Sequence, residues 1–593
     1  MIALVLASVL TLAPADSVEA PCPGGAVVTR AELAASGALH LHDALRLAGA
    51  LDGVTVDGFD VAPVGGALPF ARPVRVLLDG APVALGAGPE PAGLTALPVA
   101  LAEVARVVVC PGDGLAAGAL GGPWIDVRTG PPARVAYASV AYGNEAGDPG
   151  PLRYLASAGN VDRWGPYLEG ALGGDVRAVV RHRDFLPTDP AVLYRARAVT
   201  GRYPKRVGTI GALAGDVGGL RVRVAGRRFT DLAYAPGLAT ERGFSHDAAQ
   251  ATAAVRQRVG GVDVGGHAHV ARLRLGLSAR DSIGFDPGWA ETRLDAALSA
   301  RRGGGAVGVR VEHVDASAPG VNDALTVGRG WAQATGQSAR VIGTVTVEGT
   351  AAGGSLGGGA VADGTWRARP SVRVRLSGSA RRSLPEAERD EAFWRGRGYG
   401  PFGALLPDAR PLDVARLRLE ASWARGPGRA WAAAEGLGAR GALALSAPGA
   451  LGTLSEADGT AAVGQVGASW QRRGLRVRAV ARAQGVVAGT DGFRDAWRRL
   501  PRLSSTLDLL HQPDARLALW ARLDLRSATT WAGFPETDLP AMALLDLGLS
   551  KRFWGDALRL SLGGRNVLGV EERTHPLGAD LAPRLFVRAE ARL

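Results

Sequence analysis

Lysine is almost missing from this 593-residue chain: only Lys205 and Lys551 occur, so nearly all of its positive charge is arginine. The 68 basic and 56 acidic residues leave a net charge of +12 and a pI near 10.4. Such a balance could suit nucleic acid or an anionic surface. Phosphate affinity needs a concentrated basic face, however, and these arginines are spread over the whole chain, many alternating with apolar residues. No nucleic acid is expected as a partner. Long apolar runs are missing too. Residues 2–13 form a single run of 12, and no later segment offers the roughly 18 residues that a spanning helix requires. Helical membrane spans are thereby excluded, and a membrane location would demand a closed barrel. With only Cys22 and Cys110 at this length, a small disulfide scaffold is excluded as well. The 84 glycines lack the period of three of collagen and favour turns and strands. Hydrophobic residues at 47% rule out a disordered chain, and the length calls for several domains or one large closed architecture.

The run at residues 2–13 has the length of a signal-peptide core, so export is expected. Ala13-Pro14-Ala15 and Val18-Glu19-Ala20 both offer small-residue cleavage sites, although no Lys or Arg precedes the run. From about residue 135 the chain repeats stretches of about ten alternating residues separated by Gly, Pro, Asp or Ser, the period of a strand. Leu220, Val222 and Val224 oppose Arg221 and Arg223; Leu273, Leu275 and Leu277 oppose Arg272 and Arg274. Val372, Val374 and Leu376 oppose Arg373 and Arg375, and Leu558, Leu560 and Leu562 oppose Arg559. Leu517, Leu519 and Ala521 are a weaker case. A soluble sandwich also alternates, but with shorter strands. Long strands behind an export signal favour an outer-membrane β-barrel, with apolar side chains toward lipid and arginines toward a wet lumen. Residues 131–593 accommodate 22 strands at about 21 residues each with connections, while 16 or 18 with longer loops fit equally.

Residues 26–130 read instead as a small α+β unit: a strand AVVTR, a helical stretch from Ala31, a strand VRVLLDG, the stretch LPVALAEVARVVV and a Gly-rich turn. At Val28-Thr29-Arg30 with Glu32, Asp43 to Arg46, Val76 to Val83 with Asp79-Gly80 and Pro82, Leu97 to Val107, Pro111-Gly112, and Gly121-Gly122 with Ile125 to Thr129, the chain resembles the plug of TonB-dependent outer-membrane receptors. Residues 382–423, Leu558 to Leu568 and the final strand Leu585 to Leu593 resemble barrel segments of the same family, with Leu593 in place of the usual Phe. The family's plug Arg and first Gly before Pro-Gly are Val109 and Cys110 here.

The resemblance implies a signal peptide over 1–15 or 1–20, a short segment 16–25, a plug over 26–130, and a transmembrane β-barrel of about 22 antiparallel strands over 131–593. It further implies a receptor in the cell outer membrane that imports a scarce solute such as a siderophore, cobalamin or another metal chelate. The near-minimal length favours a compact solute. TonB is the implied partner, pairing with a strand that should precede the plug; Asp16, Ser17, Val18, Glu19 and Ala20 are the available candidate. A non-energised binding or adhesion barrel without a functional TonB segment is the alternative.

No enzymatic function and no cofactor are expected. Gly112, Gly114 and Gly118 miss dinucleotide-loop spacing by one, and a strand-like segment follows instead of a helix. Gly349 to Gly359 lacks the Lys-Ser or Lys-Thr of a phosphate loop and reads as a flexible surface loop. His267 and His269 share a strand face, and His40 and His42 stand two apart, but two imidazoles do not make a metal site. Ser245-His246-Asp247 is contiguous, whereas catalytic triads assemble from separate segments. Cys22 and Cys110 could pair in an oxidising compartment; two free or lipid-modified thiols are the alternative.

Overall fold

The computed structural model describes residues 25–35, 41, 44–45, 51–52, 62–63, 75–82, 97, 99, 101–110, 114–116, 119–121, 124–130, 136–143, 167–172, 176–185, 205–217, 219–232, 244–277, 290–318, 321–384, 411–446, 453–530, 538–570 and 584–592. Two bodies nest, a small sheet domain inside a large barrel.

The inner domain begins with β1 (Ala26–Thr29) and α1 (Arg30–Ala35), followed by β2 (Arg75–Leu78), β3 (Ala81–Pro82), β4 (Val104–Cys110) and β5 (Trp124–Thr129). Their sheet order is β1-β4-β5-β2-β3, with β1 at the edge. Only β2 and β5 run parallel; β1 pairs antiparallel with β4, β4 with β5 and β2 with β3. Both faces are covered. Val28, Leu33, Val76, Val107, Ile125 and Val127 form the main core on one face, and Leu77, Val108, Cys110 and Trp124 cluster on the other. Such two-sided burial explains the unbroken apolar run Val107–Cys110.

The barrel strands are β6 (Ala136–Gly143), β7 (Tyr167–Leu172), β8 (Val176–Phe185), β9 (Lys205–Val217), β10 (Leu220–Leu232), β11 (Phe244–Val259), β12 (Val262–Leu277) and β13 (Ala290–Arg302). They continue with β14 (Gly305–Ala318), β15 (Val321–Gln337), β16 (Val341–Ala352), β17 (Ser355–Arg369), β18 (Val372–Ser383), β19 (Leu412–Arg425) and β20 (Gly428–Ser446). The last are β21 (Thr453–Arg472), β22 (Leu475–Gly489), β23 (Leu503–His511), β24 (Leu517–Arg526), β25 (Met542–Phe553), β26 (Leu558–Arg565) and β27 (Arg584–Arg592). These 22 strands pair antiparallel with their neighbours in chain order and close when β27 returns to β6, Tyr137 opposite Arg592. Closure leaves no strand edge unpaired, which is the condition for crossing lipid.

An even count brings both barrel ends to the rim where the inner domain joins. At that rim most connections are very short, as at 260–261, 303–304 and 473–474. Gly474 shows why glycine is needed: its φ is +77°, and a Cβ there would lie 2.0 Å from the carbonyl oxygen of Gln512. The opposite rim carries the longer connections, such as 384–411. One of them, 490–502, contains α2 (Asp491–Arg498), capped by the Thr490 hydroxyl, which accepts the N–H of Phe493 at 3.3 Å. Phe493, Ala496 and Trp497 fold inward onto Leu437, Ala442 and Ala461 of the lumen wall.

The alternation of β10 sorts as the sequence suggests. Leu220, Val222 and Val224 face outward, 44%, 40% and 52% exposed, whereas Arg223 is 5% exposed and faces the lumen. A continuous outward band of this kind would be costly in water and is satisfied by lipid. β12 corrects the expectation: Leu273 is buried inside, and Arg272 and Arg274 are exposed on the outer face. This strand has 16 residues, more than the ~10 that cross a bilayer, so its far end stands above the lipid, where the outward positions meet water. Gly349 to Gly359 is also corrected. Instead of a flexible loop it forms paired strands of β16 and β17, joined at Gly353-Gly354. A Cβ on Gly358 would fall 2.3 Å from the carbonyl oxygen of Glu348; glycine there permits close strand approach.

Candidate functional site: the junction of plug and barrel

The inner domain is held to the barrel by carboxylates. Asp79 and Gly80 make the turn between β2 and β3, with φ of +55° and +84°. The turn is pinned to β5 because the Asp79 N–H donates to the Val127 carbonyl at 2.8 Å. Asp79 Oδ1 also accepts the N–H of Thr129 at 2.8 Å and Oδ2 its hydroxyl at 2.7 Å. Arg221 of β10 approaches the same carboxylate, Nη1 to Oδ1 at 2.5 Å. Gly80 donates to Asp126 Oδ1 at 3.1 Å, and a Cβ on it would meet the Arg128 guanidinium at 3.1 Å. Arg128 in turn is paired with Asp126 at 2.5 Å. Burial pushes the Asp126 carboxyl up from its ordinary value, against the opposing pull of Arg128 and the Gly80 N–H. The Asp-Gly pair thus does two jobs, forming a left-handed turn and presenting an anion to the barrel wall.

Beside it, fully buried Glu103 lies 3.7 Å from Arg223 of β10. A further attachment is on another side. Thr29 and Glu32 form a capping box at the start of α1: Glu32 Oε2 accepts the N–H of Thr29 at 2.8 Å, and the Thr29 hydroxyl receives the Glu32 N–H at 3.4 Å. The second oxygen, Oε1, pairs with Arg476 of β22. Since β10 and β22 are the fifth and seventeenth of 22 barrel strands, the two attachments lie nearly across a diameter. Arg30 ties α1 back into its own domain through the carbonyls of Val104 at 3.1 Å and Gly130 at 3.3 Å.

Of the residues singled out in the sequence, Asp79, Gly80 and Pro82 meet at the β2–β3 turn, Pro82 opposite Leu77. Gly121 pairs with Gly114 in a small hairpin of Gly114–Ala116 and Ala119–Gly121. Cys110 is fully buried and disulfide-bonded rather than a free thiol. Pro111, Gly112, Gly122, Cys22, His40, His42 and the segment Asp16 to Ala20 lie outside the described residues. Glu32, Glu103, Arg221, Arg223 and Arg476 escaped the sequence reading as site residues. The Thr29-x-x-Glu32 spacing of a capping box was the one available signal.

His267 and His269 do face the lumen on β12, but they are directed to different partners. His267 Nε2 bonds Asp295 at 2.6 Å, and His269 Nδ1 bonds the Thr252 hydroxyl at 2.7 Å. Asp295 is shared with Arg310, whose Nε lies at 2.6 Å, and Glu312 bridges Arg310 and Arg293 at 3.2 and 3.4 Å. Among the described residues no group of three or more His, Cys, Asp or Glu could hold a metal ion. This wall is a sign-balanced network of buried ion pairs.

No protein-family model matches the sequence, and no curated protein sequence does. Solved structures do match over nearly the whole chain. The ferric enterobactin receptor of Pseudomonas aeruginosa superposes with a TM-score of 0.69 at 11% identity, covering 97% of this chain and 98% of the other. A copper transporter, OprC, gives 0.68 at 12% identity, with 97% and 100% coverage. The FrpB iron transporter of Neisseria meningitidis gives 0.67 at 11%, with 96% and 99%. Closed 22-strand wall, inner five-stranded sheet and carboxylate-anchored Asp-Gly turn together give this chain the plugged-barrel fold of the TonB-dependent outer-membrane receptors.

Proposed function

We propose that the protein is an energised receptor of the cell outer membrane, binding a scarce solute such as a siderophore, cobalamin or other metal chelate and importing it through movement of the plug. The observation that carries this reading is the attachment of the plug to opposite walls, Asp79 and Glu103 on β10 and Glu32 on β22. A plug held across the diameter does not swing aside thermally, because each charge withdrawn from its partner must be left in a partly buried site. Work must therefore be supplied. In an outer membrane, which has no nucleotide pool, the source is a protein partner, TonB, pulling on the chain ahead of β1. Residues 16–20 are the proposed coupling strand, engaged by strand addition. The alternative is a passive binding barrel in which this segment has no partner.

Deletion of residues 16–20 from the exported protein tests the proposal. Uptake should be abolished while solute binding and membrane insertion persist, and Val18→Pro should act similarly by removing a ladder donor. Uptake that survives both changes and also survives loss of TonB would establish the passive barrel instead.

A further inference from the structure

Arginines that are scattered along the sequence gather in space at one rim. Antiparallel pairing returns the chain to the rim beside the inner domain once every two strands, so residues tens of positions apart become neighbours there. Along the arc from β13 to β22 this rim consists of five short turns, at 303–304, 338–340, 370–371, 426–427 and 473–474. Arg302, Arg340, Arg369, Arg425, Arg472 and Arg473 stand at these turns, all of them exposed, and no carboxylate approaches them among the described residues. The stretches 301–306, 337–342, 366–373, 423–430 and 470–477 contain no acidic residue. Acids return at the two ends of the arc, Asp263 beside Arg258 at 3.7 Å and Asp514 in the turn 512–516. The opposite rim is mixed in sign and its charges pair, Arg228 with Asp247 at 3.5 Å and Arg382 with Asp413 at 2.9 Å.

Alternation gives several of these arginines a direction. Leu298 and Arg302 share the outer face of β13, Trp423 and Arg425 that of β19, and Trp470 and Arg472 that of β21. The last two pairs read Trp-x-Arg, with the indole toward the outward apolar band and the guanidinium one step nearer the rim. Trp366 of β17 adds a third outward ring; the three are 49%, 44% and 39% exposed in the order Trp366, Trp423, Trp470. Trp366 pairs with Val374 and Trp423 with Val372 on the strand between them, so these two rings stand at nearly one height. Outward tryptophans collect at the headgroup boundary of a bilayer. An arginine one step beyond, on its long side chain, reaches the phosphate layer.

We infer that this arc is a docking surface for anionic glycerophospholipid of the leaflet around the plug-side rim, with the lipid phosphates held by the guanidinium forks and the acyl chains lying along the outward apolar band. A planar guanidinium meets two phosphate oxygens at once, and basic residues at this depth draw in anionic headgroups. Two features select lipid over a soluble acidic partner. Arg302, Arg425 and Arg472 point sideways into the annulus at the level of the indoles, and the five turns belong to ten of the 22 strands, a span that follows the circumference instead of forming a compact patch. This surface stands on the barrel fold and is independent of whether uptake is energised.

To test it, the full chain is reconstituted in phosphatidylcholine bilayers, brominated phosphatidylglycerol or brominated phosphatidylcholine is added, and tryptophan fluorescence is read, because bromine quenches the rings it touches. Brominated phosphatidylglycerol should quench severalfold more effectively at equal mole fraction, and potassium chloride should erode the difference. With Arg302→Gln, Arg369→Gln, Arg425→Gln, Arg472→Gln and Arg473→Gln combined, the two lipids should quench alike while the barrel still migrates faster unboiled than boiled. Arg425→Gln with Arg472→Gln alone should remove part of the difference, and Arg272→Gln with Arg274→Gln, on the outer face toward the opposite rim, should leave it intact. Equal quenching by both lipids in the unaltered protein would overturn the lipid arc; retention of that protein on immobilised polyglutamate, lost in the fivefold variant, would then assign the arc to an acidic soluble partner. A difference that survives the five substitutions, or that the Arg272 and Arg274 changes remove, would overturn its assignment to these arginines.

Discussion

The Asp79 carboxylate lies 2.5 Å from the Arg221 guanidinium while also holding both the N–H and the hydroxyl of Thr129. One side chain therefore fixes a turn, joins it to the neighbouring parallel strand and docks the assembly on the barrel. Asp79→Ala should lower plug stability by about 2–3 kcal/mol, since hydrogen bonds to a charged group are lost and a partner charge is exposed. Differential scanning calorimetry in detergent, with plug and barrel transitions resolved, should show the plug transition shifted down and the barrel transition in place. Equal shifts in both would contradict an interaction local to the plug.

Acidity should act on the plug through Asp126. Its pKa is raised chiefly by burial, from an ordinary 3.8, so the folded plug holds this proton more tightly than the unfolded chain. The stabilising contribution is present below the unfolded value and is lost as pH rises from 3.8 through the folded value. The plug transition should fall in temperature over that window, and Asp126→Asn should flatten the slope. An unchanged slope in the variant would assign the effect to another group.

The α2 helix is held by an aromatic wedge. Phe493 is fully buried, its ring lies 6.1 Å from that of Trp497, and a Cβ on Gly459 would come within 2.5 Å of it. Phe493→Ala should cost about 3–5 kcal/mol of docking, and Gly459→Ala should displace the ring from its seat. Proteolysis of intact outer membranes should then cut within 490–502, with the barrel still migrating faster unboiled than boiled in gels. Resistance equal to the parent would mean that the helix is retained by other contacts.

The disulfide at Cys110, one of only two cysteines in the sequence, predicts that the purified protein shows no reactive thiol until it is both reduced and denatured. Alkylation of both cysteines in unreduced, denatured protein would remove the bond.

Much of the wall was legible because a strand's period of two writes its surroundings directly into the chain: Leu220 to Val224 could be sorted by inspection. The same logic misassigned Leu273 and Arg274, for alternation reveals two faces without saying which is wet. Height above the lipid decides that, and height depends on strand length, which turn residues mark only loosely. The glycines of β17 read as a loop because glycine serves tight turns and close strand approach alike. Within the plug, the motifs from Val76 to Thr129 gave the domain and its Asp-Gly turn. Glu32 and Arg476, 444 positions apart, could not be joined from the sequence, since their meeting depends on how the plug sits in the barrel.

The strands of the wall are unequal: β20 and β21 have 19 and 20 residues, β26 and β27 only 8 and 9. At about 3.3 Å per residue, the difference of some ten residues amounts to roughly 30 Å of strand, or about 20 Å of height at the tilt usual in barrels. The sheet is therefore cut on a slant, with α2 braced behind the tall part. Among the described residues, the strand rim therefore stands tall beside α2 and low where the barrel closes, which gives the wall itself a front and a back.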